Sequence, residues 1–219
     1  MFKGVWQGND IPANNRILIL GESHYGDEII DKDMLTKDVV NRYLNNIQYG
    51  TRKKWAQFFD KIAFSFGYEK EQVEDFYSKV FFGNYIEAFC GIKDGRAKDI
   101  LAKKENRGQY NDSLFEFVNE HHISTIICFS ILAYNHLPGA SADEKEEKTV
   151  VGPIGSKKDM VRVFTYQPSI EHPHCNIILE NELQVIGVRH PSSASGYSSE
   201  NVYGFLKKMD GLQWLIQGD

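Results

Sequence analysis

Cysteine is scarce in this sequence: three residues in 219, at positions 90, 128 and 175. None sits in a CxxC pair, so neither a zinc site nor a four-cysteine cluster can be assembled from them. An odd number of cysteines in apolar surroundings points to reduced thiols and a reducing compartment. No apolar run approaches the roughly 18 residues a membrane-spanning helix needs. The opening MFKGVWQGND lacks the charged-then-apolar profile of a secretory leader. The expectation is therefore a cytoplasmic protein with no membrane partner and no metal. A basic excess is missing too. Twenty-five Lys and Arg stand against 30 Asp and Glu, leaving a net charge of −5 and a pI near 5.8. A duplex-binding protein gains most of its affinity by neutralising phosphates, so this balance argues against strong, non-specific DNA binding over the whole surface. It leaves room for a local basic face, with Lys157, Lys158, Arg162, Arg189, Lys207 and Lys208 as candidates. There are no internal repeats, and no surplus amphipathic face demands a dimer, so a monomer is expected.

What the chain has in quantity is apolar and aromatic residues: 42% hydrophobic and 13% aromatic, with 14 Phe, 11 Tyr and 3 Trp. That is enough for one domain over residues 1–219 with a sizeable core and no staples, and most of the rings are expected inside it. Residues 16–20, Arg-Ile-Leu-Ile-Leu, form a short apolar run of the kind found in buried parallel strands. Val39, Val40, Tyr43, Leu44 and Ile47 recur at helical spacing over 37–47. Trp55, Phe58, Phe59, Ile62, Ala63 and Phe66 do so over 52–66. Further strands are expected at 79–86, 124–129, 161–166, 176–179 and 183–188. Further helices are expected at 110–121, 131–137 and 199–209, and a polar stretch crosses 91–108. Residues 138–160 read as one long loop, and loops of that length in small domains are usually functional or mobile. Strands alternating with helices imply a parallel sheet covered on both faces, in which ligands sit beyond the carboxyl ends of the strands.

Three strand ends carry chemistry. After residue 20 comes Gly21-Glu22-Ser23-His24-Tyr25-Gly26-Asp27-Glu28, with two glycines that permit tight turns flanking a carboxylate, a hydroxyl, an imidazole and a phenol. The second strand carries Asn84 behind Phe82 and Gly83. The last ends in Arg189-His190-Pro191-Ser192-Ser193 and leads through Tyr197 into a helix. Serines there can cap the helix or bind anions.

This set resembles the uracil-DNA glycosylase superfamily. In that family a first strand ends in Gly-Gln-Asp-Pro-Tyr-His or Gly-Glu-Ala-Pro-Gly, a second carries a base-reading Asn, a third apolar strand leads into a helix, and a late strand ends in His-Pro-Ser. Here the matching residues are Gly21-Glu22-Ser23-His24-Tyr25-Gly26, Phe82-Gly83-Asn84-Tyr85, Ile126-Ile127-Cys128-Phe129 and His190-Pro191-Ser192. The order of elements agrees from about residue 16 to 209, and the close likeness covers some twenty residues. The resemblance implies a three-layer α/β/α sandwich around a central, mostly parallel four-stranded sheet. It also implies removal of a damaged or modified base from DNA by cleavage of the N-glycosidic bond, with no cofactor. Three cysteines exclude the iron–sulfur branches.

Under that resemblance the base is extruded from the stack, read by Asn84 and stacked on Tyr25 or Phe82. His190 donates to the base oxygen where negative charge develops. A carboxylate, Glu22 first and Asp27 second, with Glu28 as a third candidate, stabilises the sugar cation and orients water. Gly21, Ser23, His24, Ser192 and Ser193 hold phosphates, and Tyr197 is the bulky residue in the wedge position. Two departures leave the base unassigned: Ser23 stands where one branch has its water-activating Asp, and His24 where another has Pro. Two other readings stand beside this one. The chain could be a non-catalytic nucleic-acid-binding module on the same fold, which the acidic balance favours. It could also be an erythromycin-esterase-like hydrolase in which Glu22 and His24 act together.

Overall fold

A computed structural model of the chain describes residues 2, 4–25, 34–48, 55–91, 96–139, 149–151, 161–191 and 197–217. Along the chain these form β1 (Trp6–Gln7), β2 (Arg16–Tyr25), α1 (Thr36–Gln48), α2 (Ala56–Phe64), α3 (Val73–Ser78), β3 (Phe81–Gly91), α4 (Arg96–Ala102) and α5 (Lys104–Glu120). There follow β4 (Ile123–Cys128), α6 (Ile131–Tyr134), β5 (Thr149–Val151), β6 (Val161–Tyr166), β7 (Leu183–Gly187) and α7 (Ser199–Leu206). The protein is an α/β fold.

The strands make one sheet in the order β1-β3-β2-β4-β7-β6-β5. Its middle four, β3, β2, β4 and β7, run parallel. Antiparallel β1 extends one edge, and antiparallel β6 and β5 extend the other. The expected four-stranded sheet is thus corrected to a wider, mixed one of seven strands among the described residues. β1 has two residues and β5 three, too few to show a period of two in the sequence. β5 also lies inside the stretch taken as a 138–160 loop. Residues 140–148 and 152–160 of that stretch fall outside the described residues.

Alternation along β2 divides the core. Leu18 and Leu20 face one cluster, with Phe81, Tyr85, Leu114, Phe115 and Ile126. Ile17 and Ile19 face the other, with Val40, Tyr43, Phe59, Ile62 and Phe82. All four β2 residues are fully buried, which is why the run is continuous rather than alternating in polarity. α4, α5 and α6 cover the first face; α1, α2, α3 and α7 cover the second. The expectation that most rings fill the core holds for Tyr43, Tyr77, Tyr85, Phe66, Phe76 and Phe115, which are inaccessible to solvent, whereas Trp6, Trp55 and Trp214 are only partly buried.

Two boundaries move in a way that matters for the site. β2 does not stop at residue 20 but continues to Tyr25, because β3 runs on beside it as far as Gly91. Register shifts fall between Ser23 and His24 and between His24 and Tyr25, so the polar segment is an irregular strand end, not a turn. The connection leaving β2 goes to α1 on one face, and the one leaving β4 goes to α6 on the other. The carboxyl ends of β2 and β4 therefore flank a topological switch point, where open α/β sheets place their ligands. Among the described residues no helix is long and apolar enough to cross a membrane.

Candidate functional site

Asn84 is paired in register with Gly21 across β3 and β2. A Cβ on residue 21 would come within 2.3 Å of Asn84 Oδ1. Gly21 is present because the amide lies over the β2 backbone at that point, not because of a turn. Asn84 Nδ2 donates to Thr36 Oγ1 at 3.2 Å, on the first residue of α1. The amide is thereby held between a sheet and a helix N-terminus.

Glu22, next along β2, receives two hydroxyl donors. Tyr25 donates to Oε1 at 2.6 Å and Ser130 to Oε2 at 2.7 Å. Ser130 is the N-cap of α6, and its Oγ also accepts from the Ala133 N–H at 3.1 Å. The carboxylate is thus tied to the start of a helix across the switch point. The Tyr25 hydroxyl is pushed well above its ordinary pKa, first by burial and then by its bond to Glu22.

His190 follows β7. Its ring stacks on Phe58 of α2, with centroids 4.9 Å apart and planes at 27°. Burial lowers its pKa below the usual value, and the Glu22 carboxylate acts in the opposite direction. The imidazole is accordingly mainly neutral at pH 7 and keeps one N–H donor and one acceptor. The Pro191 carbonyl accepts from Lys61 Nζ at 3.0 Å, which fixes the chain just beyond the ring.

These three groups line one cavity of about 420 Å³, inside the ~300–1,000 Å³ typical of small-molecule sites. Ser23, His24, Tyr25 and Phe82 line it as well. His24 sits edge-on to Phe89 at 5.4 Å, with Nδ1 3.0 Å from the Met34 carbonyl. Much of the wall is apolar: Val39 of α1, and Trp55, Phe58 and Phe59 in and beside α2. Arg42 adds a cation, its guanidinium 5.7 Å from the centre of the Trp55 ring.

No protein-family model matches the chain, and no curated protein matches it.

Of the residues singled out in the sequence, the cavity brings together Glu22, Ser23, His24, Tyr25, Phe82, Asn84 and His190, with Gly21 beneath the amide. Tyr197 is not in its lining. The Tyr197 hydroxyl is 2.5 Å from Ser65 Oγ, and its ring lies 6.5 Å from Phe129, so it is packed into the helical layer rather than projecting as a wedge. Gly26, Asp27, Glu28, Ser192 and Ser193 lie outside the described residues, as do Lys157 and Lys158. Arg162 donates to Asn135 Oδ1 at 2.7 Å on the far side of β7 from β2. Among the described residues no cluster of His, Cys, Asp and Glu could hold a metal ion.

Sequence reasoning missed Thr36, Arg42 and Ser130 and placed Trp55, Phe58 and Phe59 only in the core. Ser130 carried a usable signal: a serine directly after an apolar strand and before a helical run is an N-cap. The three rings carried none, because one helical stripe faces both the core and the cavity.

Proposed function

We propose that this protein excises a base from DNA by hydrolysing the N-glycosidic bond, with the cavity as the base pocket. What supports the reading is that Glu22, Asn84 and His190, far apart in the chain, open onto one aromatic-walled space. A planar heterocycle entering it meets rings on its faces and an amide that both donates and accepts at its edge. In the reaction the C1′–N bond breaks with its electron pair going to the base, and the sugar becomes cationic. His190 donates its N–H to the base oxygen that gains charge, without first having to lose a proton. Glu22 stabilises the cation and accepts the proton of the water whose oxygen bonds to C1′. That proton ends on the departing base, so the products are the free base and an abasic sugar. Ser130 and Tyr25 aim the carboxylate.

The test is incubation of the protein with oligonucleotides carrying uracil, hypoxanthine, xanthine or hydroxymethylcytosine, followed by a probe for abasic sites. His190→Ala and Asn84→Ala are each expected to lower release about 100-fold or more while circular dichroism stays native. Full activity in both variants would remove the proposal. Salt-sensitive DNA binding with no base released from any substrate would turn the reading to a non-catalytic module.

A further inference from the structure

The cavity is larger than an ordinary base requires. Its 420 Å³ lies within the ~300–1,000 Å³ range of pockets that hold drug-sized ligands, whereas uracil is a single six-membered ring. The lining continues along α1. Asn84 is anchored at Thr36, the first residue of that helix. Val39 and Arg42, three and six residues further on, also line the space. At 1.5 Å per residue, Thr36 and Arg42 are about 9 Å apart along the axis, more than one six-membered ring spans. The aromatic wall is a continuous chain of ring contacts that also ends at Arg42. His190 stacks on Phe58, Phe58 meets Phe59 at 5.2 Å, Phe59 meets Trp55 at 5.9 Å, and Trp55 carries the Arg42 guanidinium.

We propose that the preferred substrate is an enlarged pyrimidine, one bearing an oxygen-rich arm such as a hexose on a hydroxymethyl group, with the arm seated between Val39, Trp55 and Arg42. This inference rests on the reading of the cavity as a base pocket. The chemistry of the second compartment selects the arm. Arg42 Nη1 already donates to Met34 Sδ at 3.8 Å; a guanidinium has five N–H donors and accepts nothing, so the groups it would recognise in a ligand are hydroxyl, carboxylate or phosphate oxygens. The indole of Trp55 and the Val39 side chain offer apolar surface to the C–H face of a saturated ring. An unsubstituted base leaves this compartment to water and gains nothing from it.

The experiment measures binding of free nucleosides to the full chain by titration calorimetry, independent of any turnover. The ligands are deoxyuridine, 5-hydroxymethyldeoxycytidine and the O-glucoside of the latter. The glucoside is expected to bind at least about tenfold more tightly than deoxyuridine, the order of one hydrogen bond to a charged donor. Arg42→Met, which keeps the apolar stem, is expected to bring the ratio of the two affinities close to one. Arg42→Lys serves as a second variant that retains charge but loses the planar fork, and should recover only part of the ratio. Asn84→Ala should weaken all three ligands together. Deoxyuridine binding as tightly as the glucoside, or a ratio unmoved by both Arg42 variants, would overturn the enlarged-base inference alone. Binding of no nucleoside, or binding indifferent to Asn84→Ala, would overturn it together with the base-pocket reading.

Discussion

Substituting Gly21 by alanine tests the placement of Asn84 without any assumption about function. The new methyl would lie 2.3 Å from Asn84 Oδ1, far inside the roughly 3.5 Å of a comfortable non-bonded contact. The backbone has little freedom to yield. β2 is central, paired to β3 on one side and β4 on the other, and the Leu20 carbonyl accepts from Phe129 N–H at 2.8 Å. The amide must therefore swing away and break its 3.2 Å bond to Thr36. Overpacking of this kind costs about 1–3 kcal/mol and the lost bond about 1. The restricted unfolded chain returns about 0.4–1 kcal/mol. The net loss is about 2 kcal/mol, a drop in Tm of about 4–8 °C for a domain of this size. The informative assay is a double-mutant cycle in thermal or urea unfolding. In an Asn84→Ala background the oxygen is gone, and the nearest remaining obstacle is Phe82 Cζ at 3.6 Å, an ordinary contact. Gly21→Ala should then cost less than about 0.5 kcal/mol, giving a coupling energy of about 1.5 kcal/mol. Equal losses in both backgrounds would show that the amide does not lie over residue 21.

Two further outcomes follow from the same site. Ser130→Ala removes the α6 cap and a donor to Glu22, with an expected loss of about 1–2 kcal/mol; base release measured beside it should fall more than the stability change explains, and unaltered turnover would sever Ser130 from the carboxylate's role. His190 has a folded-state pKa depressed by burial, so the unfolded chain binds its proton first as pH falls. Stability from this group is present above the unfolded value near 6.5 and is lost as pH drops through it toward the lower folded value. His190→Asn should flatten urea-unfolding stability between pH 7.5 and 5, apart from the contribution of His121, which burial shifts in the same direction; an unchanged pH profile would show the ring is not buried.

Much of this fold is legible in the sequence because it is written in continuous apolar runs and helical stripes. The runs at 16–20, 124–129 and 183–188 became β2, β4 and β7, and the stripe over 37–47 became α1 with one residue more at each end. What was not legible has short or divided signals. α3 spans six residues, and α4 and the start of α5 lie in a polar stretch whose helical character comes from tertiary packing. The glycine at 21 was misattributed for a physical reason. A sequence reports only that a side chain is missing; here what fills its place is an amide 63 positions away that no local rule connects to it. That groups on the strand ends share a cavity lining was legible because topology places them on one rim. Those on α1 and α2 were hidden among residues of the same kind that pack inward.

α2 has a consequence for how the site tolerates motion. It supplies Phe58, on which His190 rests. Its Lys61 grips the Pro191 carbonyl, and the Lys61 carbonyl accepts from Ser199 Oγ at 2.9 Å. Just past its end, Ser65 meets the Tyr197 hydroxyl. The imidazole, the chain on either side of residues 192–196 and part of the aromatic wall thus share a single chassis. A rocking of this helix against the sheet would carry the His190 ring and its stacking partner along together, altering their distance from Glu22 and Asn84 while leaving their mutual arrangement intact.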